Sequence, residues 1–304
     1  MEKRGYPPSL AAGVTVASST MGMVIPPSSP MIMFSMLTGA SVGALFVAGL
    51  IPGLLVGVLQ LAVCYVISKK NGYHPKLEKL NVKKMLYTML TSLPAVIMPV
   101  ILVLVVSFGI CTASEAGAVA VFYALIIGFF VYRELTVKAV VAALRKTMKS
   151  TASIVIIIGF STIFTWLMTM QQVPQTVAAM FLSLRLPRWA LLLILDALIL
   201  FLGTFIDVSP ALLMLTPILM PIMQGLGISN LQFGAIFIVG LAIGLITPPV
   251  GMCLNVCNKI NGMSIMDIAK GALPFGLCNV AVLVLITFIP ELSIWLPQLL
   301  NYQI

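Results

Sequence analysis

The sequence predicts an all-α integral membrane protein of inverted-repeat type, with a re-entrant hairpin and discontinuous helices. Three observations predict it: charge is scarce, a Pro-Pro pair occurs twice in apolar surroundings, and one register superimposes the two pairs. Of the 304 residues, 61% are hydrophobic and 8% charged, and the mean hydropathy is +1.15. Ordinary globular domains carry roughly a quarter charged residues. Residues 208–258 contain no Asp, Glu, Lys, Arg or His. Soluble cores do not need runs of that length, whereas membrane spans of about 20 residues do.

Taken in order, the apolar runs place spans near 10–35, 44–67, 86–109, 114–132 and 150–170, then a long apolar region at 189–258 and a last span at 271–290. The start has the outline of a signal peptide, with Lys3 and Arg4 ahead of "LAAGVTVA". The apolar stretch runs on through "SSTMGMVIPPSSP" without a cleavage site, so it reads as a span. Loop 68–84 carries lysines 69, 70, 76, 79, 83 and 84 against Glu78. Segment 133–149 carries Arg133, Lys138, Arg145, Lys146 and Lys149 against Glu134. Both belong in the cytoplasm, and the two spans between them form one out-and-back pair. The net charge of +9 therefore sits in clusters between spans and does not point to nucleic acid.

"ELTVKAVVAALRKTMKS" reads as an amphipathic helix lying on the cytoplasmic face, or as a solvated connector. Beyond it, 150–170 runs outward and "QQVPQ" is external, with Arg185 and Arg188 near the outer interface as exceptions to the charge bias. Lys259 and Lys270 bring the chain back inside. The N-terminus is then cytoplasmic and the C-terminus outside. Five regions follow: 1–67, the remainder of a first repeat; 68–132, a cytoplasmic loop and a hairpin of two spans; 133–170, an amphipathic arm and a span; 171–290, a second repeat; and 291–304, a tail.

Metal and enzyme chemistry find little support. The cysteines (64, 111, 253, 257 and 278) lie mostly in apolar segments and read as small buried hydrophobes. Cys253 and Cys257 lack zinc-site spacing, and His74 is the only histidine. Asp196 and Asp207 could form an aspartyl pair, yet eleven residues of continuous helix would hold them about 16 Å apart. No nucleophile, metal cluster or phosphate loop accompanies them, so the chain reads as no enzyme. Asp196 reads either as buried and neutral or as interface-facing, and is given no role. Glu115, in "CTASEAGAVA", reads as a functional acid or as a helix-start residue near the outer interface.

Superimposing Pro26-Pro27 on Pro248-Pro249, an offset of 222, also pairs Gly22 with Gly244, Gly5 with Gly227, Gly49 with Gly271, Pro52 with Pro274 and Met1 with Met223. The charge map runs 10–35 outward and 230–258 inward, so the copies are antiparallel. Inverted repeats with helices broken in the membrane point to a secondary transporter. Each pair removes helix donors, releasing the carbonyls of Gly22 and Met23 and of Gly244 and Leu245. Ser18, Ser19, Thr20 and Ser28 supply hydroxyls beside one break and Thr247 beside the other. Unwound, oxygen-rich backbone suits a hard cation, and a plain proline kink is the structural alternative.

"LILFLGTFIDVSPALLMLTPILMPIM" (198–223) has turn chemistry inside apolar sequence. A re-entrant hairpin with its tip at 203–209 keeps both of its ends outside. Pro210 suits the first position of the returning helix and Asp207 or Ser209 its cap. An acid within a membrane is functional by default, which singles out Asp207.

At this point "KRGYPPSLAAGVTVASSTMGMVIPPSSPMIMF", "FVAGLIPGLL", "CTASEAGAVAVFYAL", "GTFIDVSPALLMLTPILMPI" and "GLITPPVGMCLNV" together resemble the large membrane subunit of tripartite ATP-independent periplasmic (TRAP) transporters. The resemblance covers essentially the whole chain. It implies an elevator-type, sodium-coupled symporter of the bacterial inner membrane, importing an organic acid such as a C4-dicarboxylate or a sialic acid. The implied partners are a small four-helix membrane subunit and a soluble periplasmic substrate-binding protein. No cofactor is implied, and Na+ is the coupling ion.

Carried over, the sodium and substrate residues are Ser18, Ser19, Thr20, Gly22, Pro26, Pro27 and Ser28 at one break. At the other they are Gly203, Thr204, Asp207 and Ser209 facing Gly244, Thr247, Pro248, Pro249, Gly251 and Asn255. Gly22, Gly203, Asp207, Gly244 and Thr247 are the expected Na+ ligands. Two departures stand out. Ala113 replaces the family's usual proline, and the 222 register places the counterpart of the hairpin before residue 1. The sequence thus reads as a fragment, a split subunit or a chain with a misplaced start. A proton-coupled carrier and a non-transporting scaffold remain as alternatives.

Overall fold

The computed structural model describes residues 1, 5–73, 81–184 and 186–302, with Lys84 described by its backbone alone. Lys3, Arg4, His74, Lys76, Glu78, Lys79 and Arg185 lie outside the described residues. Among the described residues the regular structure is entirely helical. Seven helical stretches are long and apolar enough to cross a membrane: Pro8–Thr38, Val42–Lys70, Met85–Ser107, Ala113–Val131, Val137–Met170, Val208–Gly225 and Ile265–Phe288.

The chain divides into two compact units. The first contains Met1–Lys76 and Thr162–Ile304, and the second Leu77–Ser161. The first unit begins with α1 (Pro8–Ser19), α2 (Met21–Val24) and α3 (Ser29–Thr38), followed by α4 (Val42–Lys70). Ser28 and Ser41 cap α3 and α4 by accepting from the amides of Met31 and Ala44. The interruption before α3 falls at residues 25–28, where the Pro26-Pro27 bond is cis.

In the second unit, α5 (Val82–Ser107) and α6 (Ala113–Ile126) pack together. The Tyr123 hydroxyl donates to the Pro94 carbonyl at 2.8 Å. Pro94 and Pro99 lie inside α5, and each lacks the amide that would serve the carbonyl four residues back, Leu90 for the first and Ala95 for the second. The start of α6 settles Glu115: its carboxylate accepts from the Thr112 amide and hydroxyl, each at 2.8 Å, while the Glu115 amide donates to Thr112 Oγ1. This capping box gives Glu115 the helix-start role. A π-helical turn (Ile127–Val131) ends α6.

α7 (Val137–Met170) is one unbroken helix. The sequence suggests instead an arm on the membrane face followed by a separate span. Nothing in "KSTAS" stops a helix, because it lacks both proline and glycine, so the cationic stretch and the apolar stretch propagate as one. At 1.5 Å per residue, 34 residues extend about 51 Å, beyond the roughly 30 Å of hydrocarbon in a bilayer.

The apolar region 189–258 resolves into several helices. After α8 (Val173–Leu182) come α9 (Arg188–Gly203), α10 (Val208–Gly225), α11 (Asn230–Gly244) and α12 (Met252–Asn261), then α13 (Ile265–Phe288) and α14 (Glu291–Leu299). Helix α14 lies in the stretch read as a tail and packs on α4. Every residue of α11 from Leu231 to Gly244 is buried. Such all-round hydrophobicity marks a helix enclosed by others. Around it lie α9, α10, α13, α4, α2 and α3, with Phe34 of α3 edge-on to Phe233 at 5.3 Å and Phe237 stacked on Phe233.

Candidate functional site

Two backbone interruptions define the site, and the α9–α10 hairpin closes one of them. At its tip, α9 ends at Gly203 and α10 begins at Val208. Asp207 is the N-cap: its Oδ1 accepts from the Val208 amide at 2.9 Å. Ser209 and Pro210 then fall inside the first turn. Pro210 is thus the third helical residue instead of the first, where its missing N–H still costs nothing because the first-turn donors have no helical partner.

The tip meets the second interruption backbone to backbone. A Cβ on Gly244 would lie 2.3 Å from the Gly203 carbonyl carbon and 2.5 Å from its oxygen. Only glycine permits that approach. The Gly251 amide donates to the Thr204 carbonyl at 3.4 Å. Gly203, Thr204, Gly244 and Gly251 are therefore brought together. Asp207, exposed at the surface, keeps one carboxylate oxygen beyond its capping bond.

The structure corrects the account of bare carbonyls. After α11 the chain turns tightly through 245–250, where the Pro248-Pro249 bond is cis. Gly244 O accepts from the Thr247 amide at 3.0 Å and Leu245 O from the Cys253 amide at 3.1 Å. The Thr247 hydroxyl donates to Ile243 O at 2.8 Å, and Asn255 Nδ2 donates to Val250 O. Local turns and the next helix have replaced the donors that proline removed. What remains for a ligand is the second lone pair of these oxygens and the unused lone pairs of Thr204 and Thr247.

The first interruption is held differently. Ser28 Oγ donates to Met23 O. Opposite Gly22 O stands Pro26, which has no N–H to give. The Ser18 and Ser19 hydroxyls donate back to Thr15 O and Val16 O. Pro27 is exposed and Pro26 buried. Gly22 is exposed, with nothing within 4 Å of where a Cβ would stand. Its register partner Gly244 is covered by Gly203. Among the described residues a hairpin tip therefore lies against the second break, and no such contact is described at Gly22.

Sequence reading missed a buried amide network beside the first break. Gln60 of α4 donates from Nε2 to Ala17 O at 3.2 Å and to Asn279 Oδ1 at 2.8 Å. Asn279 of α13 donates to Thr20 Oγ1 at 3.0 Å, and that hydroxyl donates to Ala17 O at 2.7 Å. Thr20, expected among the sodium and substrate residues, is thereby tied down and 3% exposed. The available signal was a single amide side chain within each of two long apolar helices, since a polar group in such a place needs a partner.

Between α1 and α12 lies a cavity of about 860 Å³, lined among others by Thr15, Ser19, Cys253, Val256, Cys257 and Asn261. Ser19 Oγ and Cys253 Sγ approach to 3.5 Å across it. Clefts of 300–1,000 Å³ are of ligand-binding size. Among the described residues no group of three or more His, Cys, Asp or Glu is placed to hold a metal. A cation here would depend on backbone and hydroxyl oxygens, the donor set of hard ions.

Comparison with known proteins supplies the context for this arrangement. The profile of the family described as "Tripartite ATP-independent periplasmic transporter, DctM component" matches residues 1–292. The isethionate TRAP transporter permease protein of Oleidesulfovibrio alaskensis is 36% identical over 295 residues, covering 97% of this chain and 46% of that protein. The sialic acid TRAP transporter large permease protein of Vibrio cholerae is 35% identical over 299 residues, covering 98% of this chain and 70% of that protein. The C4-dicarboxylate TRAP transporter large permease protein of Pseudomonas aeruginosa is 34% identical over 301 residues, covering 99% and 70%. The chain thus spans about half the length of the first relative and 70% of the other two.

Proposed function

Because the chain belongs to the family of the DctM component of tripartite ATP-independent periplasmic transporters, we propose that it forms the transport core of a sodium-coupled symporter for an organic acid. The acid would be a C4-dicarboxylate, a sialic acid or a related carboxylate, delivered by a periplasmic binding protein. A small four-helix membrane subunit would complete the assembly in the bacterial inner membrane. The observation that carries the reading is the Gly203–Gly244 contact, which seats a hairpin tip on a broken helix.

In this reading one Na+ lies between the tip and the second break, held by oxygens of Gly203, Gly244 and Thr247, with the spare carboxylate oxygen of Asp207 nearby. A second lies at Gly22, beside Ser18, Ser19 and Ser28. The carboxylate cargo occupies the α1–α12 cavity, where Ser19 and Asn261 offer hydrogen bonds and a neighbouring Na+ offers charge. Movement of the first unit would carry cargo and ions across the membrane in an elevator-type cycle.

The test is uptake into vesicles by the chain assembled with its small subunit and binding protein, with and without an inward sodium gradient. Uptake should require sodium. Thr247→Val, which removes an oxygen and keeps the shape, should raise the half-saturating sodium concentration about tenfold, equivalent to about 1.4 kcal/mol. Uptake indifferent to sodium, or driven by a pH gradient alone, would overturn the reading in favour of a proton-coupled carrier. Expression without any uptake would favour a scaffold.

A further inference from the structure

Asp196 has no part in the sodium reading, yet it is the most deeply buried acid among the described residues, at 4% exposure in the middle of α9. Its Oδ1 lies 3.2 Å from Thr287 Oγ1 of α13, and Oδ2 has no hydrogen-bond partner among the described residues. Thr287 Oγ1 also lies 2.9 Å from Leu283 O one turn back. A hydroxyl has one hydrogen, and a carbonyl oxygen can only accept. If that hydrogen satisfies the shorter contact to Leu283 O, the bond between Thr287 and Asp196 needs its hydrogen from the acid.

The alternative is a buried anion held by one neutral hydroxyl, with a bare second oxygen. Removing a carboxylate from water costs several kcal/mol, which a cation would have to offset. Among the described residues, the elements packed against α9 offer none. α10 and α11 carry no ionisable side chain. On α13, Asp267 and Lys270 lie at the far end, Lys270 about 25 Å along the helix from Thr287. Cys278 on the same helix is engaged with Pro274 O and Leu59 O. On α9 itself Arg188 is exposed and starts about 12 Å away along the axis; it lines the cavity that reaches Thr287 but makes no hydrogen bond to Asp196.

We propose that Asp196 is a proton-binding site, a carboxylic acid donating from Oδ1 to Thr287 Oγ1. A cavity of about 380 Å³, lined by Arg188, Trp189, Leu192, Thr287, Phe288 and Pro290, connects Thr287 to the surface, with Glu291 following Pro290 in the chain. Through it the site exchanges with water. The Thr287 hydroxyl turns from Leu283 O toward water, giving its own proton to a water molecule as its oxygen takes the Asp196 proton, and loading runs in reverse, so no other reactant is needed. Separation of α9 from α13 would admit water and release the proton, which links the position of α9 to pH independently of any sodium site.

Infrared spectroscopy tests this on the purified chain without any transport assay. The sequence has only three aspartates, at 196, 207 and 267, so carbon-13 aspartate labelling isolates their bands. In neutral buffer a protonated-carboxyl carbonyl band that shifts on labelling is expected. It should disappear in Asp196→Asn, persist in Asp207→Asn and Asp267→Asn, and move in frequency in Thr287→Val, where the acid loses its acceptor. Absence of the band from the wild-type chain, or its survival in Asp196→Asn, would overturn the proposal. Should Asp196→Asn fail to fold, the wild-type band and its response to Thr287→Val still decide the matter. An unmoved band in Thr287→Val overturns it.

Discussion

Gly244→Ala is expected to lower the stability of the protein by about 3 kcal/mol, the upper part of the range for forcing extra volume into a packed interior. The same change at its register partner, Gly22→Ala, should leave stability unchanged or raise it by about 0.5 kcal/mol. The contrast comes from what each new methyl would meet. At Gly244 it meets the Gly203 backbone at 2.3 Å, and backbone cannot rotate aside as a side chain does. At Gly22 it meets nothing within 4 Å. Relief of the clash requires α9 to part from α11, which would also withdraw the hairpin tip from the second break. Thermal unfolding of the two purified variants gives the comparison. Faster hydrogen exchange in the α9 amides of Gly244→Ala locates the damage. Equal melting temperatures for the two variants would mean that the tip does not rest on Gly244.

How much of this was legible in the sequence depends on the range of the interaction. Proline acts on its own neighbours, so both interruptions could be placed from Pro26-Pro27 and Pro248-Pro249. Capping is equally local, and Asp207 at the start of α10 and Glu115 at the start of α6 could be named beforehand. The single helix α7 is misread for the opposite reason. A change from cationic to apolar composition suggests a boundary, but composition alone does not end a helix that has no breaker. The fate of the released carbonyls was also hidden. Their replacement donors include the Cys253 amide, eight residues beyond the Leu245 carbonyl it serves, and helical periodicity says nothing of such a bond. The packing partner of Gly244 follows only from the folded chain, since a glycine in an apolar helix carries no mark of what lies against it.

Asn279→Leu is expected to cost about 2 kcal/mol, because it removes two interhelical hydrogen bonds at once, each worth roughly 1 kcal/mol in membrane helices. Gln60 would lose the acceptor of one amide hydrogen, and Thr20 would lose the donor to its hydroxyl oxygen. Gln60→Leu should cost a similar amount, since it withdraws one donor from Ala17 O and another from Asn279. The double variant should cost clearly less than the sum, because the Gln60–Asn279 bond is lost in either single change. Strict additivity would show that the two amides act separately. The network joins α4 and α13, each one helix beyond an interruption, to the last turn of α1. Loosening it should disturb the first break and leave the second unchanged. Hydrogen exchange should therefore rise in the amides of residues 18–24 of Asn279→Leu while those of 245–255, anchored on the α9–α10 tip, keep their protection. A uniform rise across both regions would mean that the amides hold the unit together as a whole and have no particular tie to the first break.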